Sequence, residues 1–281
     1  MIIWLASYPK SGNTLLRSIL GAYFFSGDGE FKFDYTYKIG QFPTLEYFKK
    51  AGINISDDKE IFENYIKAQK LFNKENKSIK FFKTHSAFFH RKTDNAKFSN
   101  LENTLGAVYI VRDPRNIVSS FAHHYQLTIN EATDQICNMD LFSKRTEIHP
   151  HTFMSSWKLN YLSWLGLGKK VLLIKYEDLI GEKKKKTLIK VFDFFKSLGM
   201  NEKLFNIAKL NKVIKSTEFN KMKELEKKQG FREATIDEKT GKRLAFFNKG
   251  PQNKWKEVLD EKNQKKIEET FKKEMKELGY L

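Results

Sequence analysis

The stretch IIWLASYPKSGNTLLRSIL, residues 2–20, decides the fold that is predicted for the whole chain. It begins with a short apolar run rich in β-formers, residues 2–6, which predicts a strand. After Thr14 the apolar residues recur at helical spacing, which predicts a helix. The residues between them, 8–14 with the sequence YPKSGNT, therefore form a loop that joins a strand to a helix.

The composition of this loop indicates an anion site. Small residues and Gly12 let consecutive backbone N–H groups converge, the following helix presents its positive end, and Lys10 adds a full charge. Together these groups favour a phosphate or a sulfate. The alternative interpretation is an ordinary turn in which Lys10 is solvated and Gly12 serves only the backbone. The loop is not a Walker A sequence, because its lysine precedes its only glycine.

Further apolar runs predict more strands, and helical periodicity predicts helices between them. The run AVYIV, residues 107–111, is typical of a central parallel strand buried on both faces. Asp113 and Pro114 follow it and are residue types favoured at a helix N-cap and first turn. The other predicted strands are 78–83 and 171–174, and the other predicted helices are 45–52, 57–76, 131–145, 151–165, 187–198 and 255–278.

This alternation predicts an α/β fold with one mostly parallel central sheet flanked by helices. At 281 residues the chain is long enough for such a domain, which we expect to span residues 1–281. In sheets of this kind, ligands bind beyond the carboxyl ends of the strands. The residues that follow each strand are therefore the candidate site.

The chain is strongly basic, with a formal net charge of +17, which implies an acidic partner such as a nucleotide, a nucleic acid or an anionic lipid. Only seven of its 51 basic residues are arginines, so most of the lysines are interpreted as a solvating surface. The single cysteine, Cys137, excludes an intramolecular disulfide and fits a reducing compartment. No apolar run approaches the roughly 18 residues of a membrane span. Because the first strand leaves no room for a signal peptide, we expect a cytoplasmic protein without a membrane partner.

Side chains that bind anions follow the predicted strands: Lys10 after the first, Lys83 and His85 after the second, Arg112 after the third and Tyr176 after the fourth. If these strands adjoin, the cations converge on one positive pocket that can neutralise a highly charged nucleotide. Arg112 directly follows a buried strand, so it needs either an acidic partner or a bound anion.

Asp113 is the obvious acidic partner for that arginine, but as an N-cap its oxygens are committed to the start of the helix. Ser120, two turns into the same helix, can share whatever Arg112 holds. The alternative is a locally paired Arg112 and an exposed Ser120.

A histidine at a strand end is a candidate general base. His85 is the first choice, and His123 and His124 are the competitors. The loop contains no Asp or Glu, and no His, Cys or Asp cluster has metal-ligand spacing. A metal-free transfer is therefore favoured over a magnesium-dependent one.

Taken together, the motifs resemble those of the cytosolic-type sulfotransferases, in the same order and across essentially the whole chain. They are YPKSGNT (8–14), KTH (83–85), Arg112 and Ser120 within VRDPRNIVSSFAHHY (111–125), KYEDL (175–179), STEF (216–219) before Met222, and KG (249–250) before WK (255–256). The resemblance implies a P-loop-like nucleotide-binding fold. It also implies a co-substrate, 3′-phosphoadenosine 5′-phosphosulfate (PAPS), and a product, adenosine 3′,5′-bisphosphate (PAP).

The resemblance also implies a role for each matching residue. His85 would be the general base, while Lys10 near the bridging oxygen and Lys83 would stabilise transferred charge. The cofactor would be bound by Lys10, Ser11, Gly12, Asn13 and Thr14 at the 5′-phosphosulfate, by Arg112, Ser120, Lys249 and Gly250 at the 3′-phosphate, and by Tyr176, Thr217 and Phe219 at the adenine.

The chain departs from the family pattern at several positions. Leu15 stands where the family often has Trp, Asn248 where it usually has Arg, and Asn253 with Lys254 where it has Gly-Asp. These departures concern the adenine and the segment that closes over the 3′-phosphate, where Asn248 is retained as a candidate contact. The family's dimerisation pattern does not occur in WKEVLDEKNQ, residues 255–264, which leaves the oligomeric state open.

We therefore expect a sulfotransferase that acts on a small-molecule hydroxyl or amine acceptor. Candidate acceptor-pocket segments are residues 31–42, Phe88, Phe89, 128–147 and 230–247. The alternatives are a P-loop-type nucleotide kinase, which the missing Walker A order opposes, and a basic nucleic-acid-binding protein. The latter predicts basic and aromatic residues interleaved on one surface, whereas the lysines here are spread evenly.

Overall fold

Five parallel strands form the central sheet of the computed structural model, which describes residues 1–74, 79–91, 96–237 and 239–281. Their order across the sheet is β2-β3-β1-β4-β5. In these described residues the strands are β1 (Ile2–Ser7), β2 (Gly40–Gln41), β3 (Lys80–Thr84), β4 (Thr104–Val111) and β5 (Val171–Lys175). The predicted parallel α/β fold is confirmed, and β1 occupies the middle of the sheet.

The central strand β1 is buried along its whole length, and its alternate side chains enter two separate cores. Ile2, Trp4 and Ala6 pack on one face with residues of α3–α8, α13 and α14. Ile3 and Leu5 pack on the other face with residues of α1, α2 and α9–α12. The helices are α1 (Asn13–Phe25), α2 (Phe33–Tyr37), α3 (Leu45–Lys50), α4 (Asp58–Glu63), α5 (Tyr65–Lys74), α6 (Pro114–Tyr125), α7 (Ile129–Cys137), α8 (Trp157–Leu165), α9 (Tyr176–Ile180), α10 (Lys184–Ser197), α11 (Ile207–Ser216), α12 (Phe219–Gln229), α13 (Glu261–Thr270) and α14 (Lys272–Glu277).

All carboxyl ends of these parallel strands lie at one edge of the sheet. Ala6 of β1 pairs with Thr84 of β3 and with Tyr109 of β4, so the residues that follow the three strands are neighbours. The N-cap predicted at this edge is confirmed: the Asp113 carboxylate accepts the backbone N–H of Arg115 at 2.9 Å. The fold therefore brings the predicted strand-end residues together.

Several predicted helices have wrong limits. The helix predicted at 131–145 begins two residues earlier, with a capping box formed by Thr128 and Glu131, and ends at Cys137. Asn138 after it is extended, and Phe142 forms a β-bridge with Phe153. The helix predicted at 151–165 consequently begins only at Trp157, after an N-cap at Ser156.

Two long predicted helices are each divided. The one predicted at 57–76 is interrupted at Asn64, between α4 and α5, and its residues 75 and 76 lie outside the described residues, as does Ser78 of the predicted second strand. The one predicted at 255–278 consists of a short turn at Trp255–Glu257 and then α13 and α14, which are separated at Phe271.

The edge strand β2 was not predicted from the sequence. It has two residues, and Gly40 allows the ring of Phe82 on β3 to lie where a Cβ atom would be only 2.7 Å away. A strand of this length has no periodicity to detect. Within the described ranges, none of the helices has both the length and the apolar character that crossing a membrane demands.

Candidate functional site

A cavity of about 1540 Å³ opens at the carboxyl edge of the sheet. Most of the predicted site residues line it, although they come from distant parts of the chain. They are Lys10, Gly12, Asn13, Thr14, Lys83, His85, Arg112, Ser120, Tyr176, Thr217, Phe219, Asn248, Lys249 and Gly250. Ser11 does not line the cavity, since its side chain is fully buried and its backbone N–H donates to the Tyr8 carbonyl at 3.3 Å.

The loop between β1 and α1 has the geometry of an anion site. Lys10 and Gly12 both have positive φ, 65° and 98°, and α1 begins directly after Gly12. The helix has no side-chain cap at Gly12, so its N-terminal N–H groups face this end of the loop. A Cβ atom on Gly12 would lie 2.4 Å from the ring of Tyr176, which explains why this position needs glycine.

The side chains of Asn13 and Lys10 in this loop make different contacts. The Asn13 amide turns back and donates to the Leu5 carbonyl at 2.8 Å and to the Ser7 hydroxyl at 3.2 Å, so it fixes the loop to the end of β1. The Lys10 ammonium lies 4.3 Å from the ring centre of Phe246. Burial, together with Lys83 and Arg112, lowers the pKa of Lys10 to about 7. A bound anion would favour its charged form.

Arg112 joins the end of β4 to this loop. Its guanidinium donates to the Lys10 carbonyl at 2.8 Å and lies 4.3 Å above the ring of Tyr176. Asp113 is bound to the guanidinium of Arg115 instead. The buried Nε of Arg112 has no hydrogen-bond partner in the part of the chain that is described. Arg112 lines the cavity without an acidic partner from Asp113, which fits the predicted use for an anion.

The remaining predicted cofactor residues surround one end of the cavity. The Phe219 ring packs against Gly250, whose φ is 53° and where a Cβ atom would lie 2.2 Å from that ring. The Thr217 hydroxyl donates to the Val213 carbonyl at 2.7 Å, and the Asn248 carbonyl accepts the Lys223 ammonium at 3.1 Å. Asn248 thus contacts Lys223 through its backbone, while Ser120 and Lys249 are also part of the cavity wall.

His85 presents one ring nitrogen to the cavity. Its Nδ1 lies 2.8 Å from the Ser7 carbonyl oxygen, and because a carbonyl only accepts, Nδ1 carries the proton of the neutral ring. Nε2 then keeps its lone pair. Burial and the nearby Lys83 lower the pKa of His85 to about 3, so that the imidazole is neutral at neutral pH. This arrangement is chemically able to accept a proton from a bound group.

The two competing histidines on α6 also line the cavity. The Nδ1 atom of His124 lies 3.0 Å from the Thr235 hydroxyl, and burial lowers the pKa of His124 to about 3. His123 is half-buried like His124, and its Nε2 lies 3.2 Å from the Ala245 carbonyl in a contact that is exposed to solvent. His124 is therefore the stronger of the two competitors to His85.

Sequence reasoning missed two charged residues at this site. Glu233 contacts Arg17 of α1 and Lys83 at the end of β3, with its carboxylate oxygens 2.6 Å and 3.3 Å from their nitrogens. Arg17 interrupts the apolar face of α1 and is only 3% exposed, so the reasoning applied to Arg112 would have required an acidic partner for it too.

Part of the lysine run 183–186 reaches the site as well, although most of the lysines were interpreted as a solvating surface. Lys184 and Lys185 line the cavity, and burial lowers the pKa of Lys184. Since this lysine begins α10 two residues after the cavity-lining residues 179–182, chain connectivity brings it to the wall.

Apolar residues also line the cavity. They are Phe42 and Pro43, Leu141 and Phe142 from the segment after α7, and Met154, and polar neighbours such as Ser143 and Thr152 line it as well. Phe88 and Phe89, which were candidates for this pocket, pack against the core instead. Within the described residues, no group of three or more His, Cys, Asp or Glu side chains is arranged to hold a metal ion.

Comparisons with known proteins agree with this picture. The family model described as the sulfotransferase domain matches residues 2–279. No curated protein matches the chain. The crystal structure of mouse sulfotransferase SULT7A1 complexed with PAP is similar, with a TM-score of 0.58 and 21% identity, over 97% of this chain and 83% of that chain.

A retinol dehydratase, solved in a complex with retinol and PAP, is also similar. Its TM-score is 0.61 at 15% identity, over 98% of this chain and 81% of that chain. At these identities the likeness concerns the fold alone.

Proposed function

The chain belongs to the sulfotransferase domain family, and we propose that it transfers the sulfuryl group of PAPS to a hydroxyl or amine of a small acceptor. One observation carries this proposal: Lys10, Lys83, His85 and Arg112 meet at a single cavity. Both similar structures introduced above hold PAP, the product that such a reaction would leave.

The cavity has features that fit a nucleotide with two phosphates. The Arg112 guanidinium lines the cavity and can bind the 3′-phosphate, with Ser120, Lys249 and Gly250 beside it. The backbone of residues 10–14 and the Lys10 ammonium would hold the 5′-phosphosulfate at the start of α1. Tyr176, Thr217 and Phe219 would contact the adenine.

Transfer of a sulfuryl group resembles phosphoryl transfer, in which charge builds on the leaving oxygen in a loose, in-line transition state. Cations positioned to stabilise this charge therefore provide most of the rate acceleration. Lys10 would stabilise the leaving oxygen, and Lys83 would stabilise the oxygens of the sulfuryl group during its transfer. His85 would accept the proton of the acceptor hydroxyl through Nε2, which its bond from Nδ1 to Ser7 leaves free.

Apolar residues in the cavity wall support an apolar or aromatic acceptor. Phe42, Leu141, Phe142 and Met154 provide surface for such a molecule on the wall of the same cavity that contains His85. Retinol is bound in the retinol dehydratase complex, a molecule of this general character.

Calorimetry with PAP and with ATP tests the nucleotide part of the proposal. We expect PAP to bind more tightly than ATP, and we expect Arg112→Ala to weaken PAP binding by about tenfold or more, because a charge-assisted hydrogen bond contributes about 1.5–3 kcal/mol. The matched control is Arg91→Ala, which removes the same charge from an exposed position outside the cavity wall.

A preference for ATP would favour the kinase alternative and overturn the proposal. Unchanged PAP binding in Arg112→Ala would show that Arg112 does not bind the 3′-phosphate.

A further inference from the structure

Glu233 brings a negative charge to the edge of this cationic cavity. It belongs to residues 230–249, the segment between α12 and Gly250, and its side chain is 23% exposed. Its Oε1 lies 2.6 Å from Nη1 of Arg17, and its Oε2 lies 3.3 Å from Nζ of Lys83. The hydroxyl of Thr14 donates weakly to the same Oε2 at 3.4 Å. The carboxylate therefore bridges α1 and the end of β3.

We infer that Glu233 is a positioning residue for Lys83, which it holds at the cavity wall as a charged ammonium. The inference rests on the proposed function, in which Lys83 stabilises the sulfuryl group during its transfer. A neutral amine at this position would have no charge to offer to the transition state.

The lengths of the two ion-pair contacts support this role. Arg17 binds the carboxylate tightly and is itself fixed by a second bond from Nη2 to the Thr36 carbonyl at 3.3 Å. The longer contact to Lys83 leaves the ammonium with donors that can turn to a bound anion. Arg17 thus anchors Glu233, and Glu233 orients Lys83 without immobilising it.

The charges around Lys83 explain why an acid is needed there. The titratable groups that face it are Lys10 from the loop, Arg17 from α1, His85 beyond β3, His124 from α6, His149 from the segment before α8, and Glu233. Among these groups of the described chain, Glu233 alone is negative.

The pKa shifts follow from the same charges. Burial lowers the pKa of Lys83, and the Glu233 carboxylate opposes this effect. Burial alone would raise the pKa of Glu233, but Lys83 and Arg17 hold that pKa well below its usual range, so the carboxylate is ionised at neutral pH. Removal of its charge would therefore lower the pKa of Lys83 further.

The test compares Glu233→Gln with Glu224→Gln, which removes the same charge from an exposed position on α12. Pulse labelling of lysine amines with acetic anhydride over a pH series, read by mass spectrometry, gives the titration midpoint of Lys83 in the free protein. We expect Glu233→Gln to lower this midpoint by about one pH unit or more, the usual effect of losing a close opposite charge. Glu224→Gln should leave it unchanged.

Activity provides the second measurement. In Glu233→Gln the alkaline limb of the kcat profile should move to lower pH by a similar amount, while PAP affinity should be retained. Glu233→Asp, which keeps the charge, should restore the Lys83 midpoint at least in part. It also serves as the informative variant if Glu233→Gln does not fold.

An unchanged Lys83 midpoint in Glu233→Gln would overturn the inference. So would a tenfold gain in PAP affinity without any shift of the alkaline limb, because Glu233 would then only compete with the bound anion. Failure of the proposed function is distinguishable, since the wild-type protein would lack PAPS-dependent transfer whatever the labelling gives.

Discussion

The tautomer of His85 is decided by a single backbone oxygen. Because the Ser7 carbonyl accepts a hydrogen bond from the protonated Nδ1, the nitrogen that remains able to accept a proton is Nε2. The pKa of about 3 results first from burial and then from the positive charge of Lys83, so a bound anion would raise it toward the range of an efficient base. The free protein therefore has a neutral imidazole ready to accept a proton.

We predict that His85→Ala retains PAP binding but loses transfer, with kcat reduced by about 10² to 10⁴-fold, the usual contribution of a general base. His124→Ala is the matched control, since it removes a second buried imidazole from the same cavity. The kcat of His124→Ala should stay within a few fold of the wild-type value. Steady-state rates with a phenolic acceptor and PAP calorimetry measure both quantities. Retained transfer in His85→Ala, with loss in His124→Ala, would instead assign the base to His124.

For individual residues, sequence reasoning succeeded where a charged residue follows a strand that must be buried. Arg112 was identified in this way, and it lies beside Lys10 as predicted. Arg17 and Glu233 were missed for different reasons. Arg17 lies within a helix, where a charged residue is usually solvent-exposed, and Glu233 is more than two hundred residues away from it in a segment without periodicity. Only the folded chain brings that pair together.

Among the elements, the strands were predicted better than the limits of the helices. A buried parallel strand such as β4 is a continuous apolar run, which is visible without knowledge of its neighbours. The end of α7 at Cys137 is not visible in this way, because Asn138 is extended for tertiary reasons: the following residues return to pair Phe142 with Phe153. Tertiary pairing overrode local helical pattern there.

The segment that follows α12 is held over the cavity by specific contacts. The Glu226 carboxylate of α12 accepts the backbone N–H groups of Phe246 and Phe247 at 2.7 Å and 2.9 Å. Further along, the Asn253 amide donates to the Asn116 carbonyl of α6 at 2.7 Å. Asn253 and Lys254 stand where the family has Gly-Asp, and here Asn253 ties the segment to the helix that carries Ser120.

We predict that Gly250→Ala weakens PAP binding by about tenfold or more. Its new Cβ atom would lie 2.2 Å from the Phe219 ring and would displace it, and stacking of a base on an aromatic ring contributes about 1–3 kcal/mol. Gly241→Ala is the control, because its φ of 68° imposes the same backbone strain in open space. It should reduce thermal stability similarly while PAP affinity, measured by calorimetry, is kept.

A double-mutant cycle identifies the cause of that loss. If the glycine acts through the ring, Gly250→Ala should add little to the loss of affinity in Phe219→Ala. Fully additive losses, or equal losses in Gly250→Ala and Gly241→Ala, would show that Phe219 does not carry the effect.

For the molecule as a whole, two kinds of positive charge must be separated. Most of the 51 basic residues are lysines, and many of them are exposed, whereas Lys83 and Arg112 are nearly buried at the cavity. Exposed charges are screened by salt and attract any polyanion, but buried groups bind a shaped ligand and are screened much less. The net charge of +17 therefore says little about the preferred ligand of this protein.

We predict that PAP affinity depends less on salt than affinity for duplex DNA does. Between about 50 and 200 mM salt, DNA binding through many phosphate contacts should fall by about 10³-fold or more, as counterion release requires. PAP binding should fall far less, and Arg112→Ala should weaken it by about tenfold or more without changing the DNA titration. Parallel titrations of both ligands at several salt concentrations measure the two slopes. DNA affinity that persists at the higher salt and is lost in Arg112→Ala would mean that the cavity residues serve a nucleic acid.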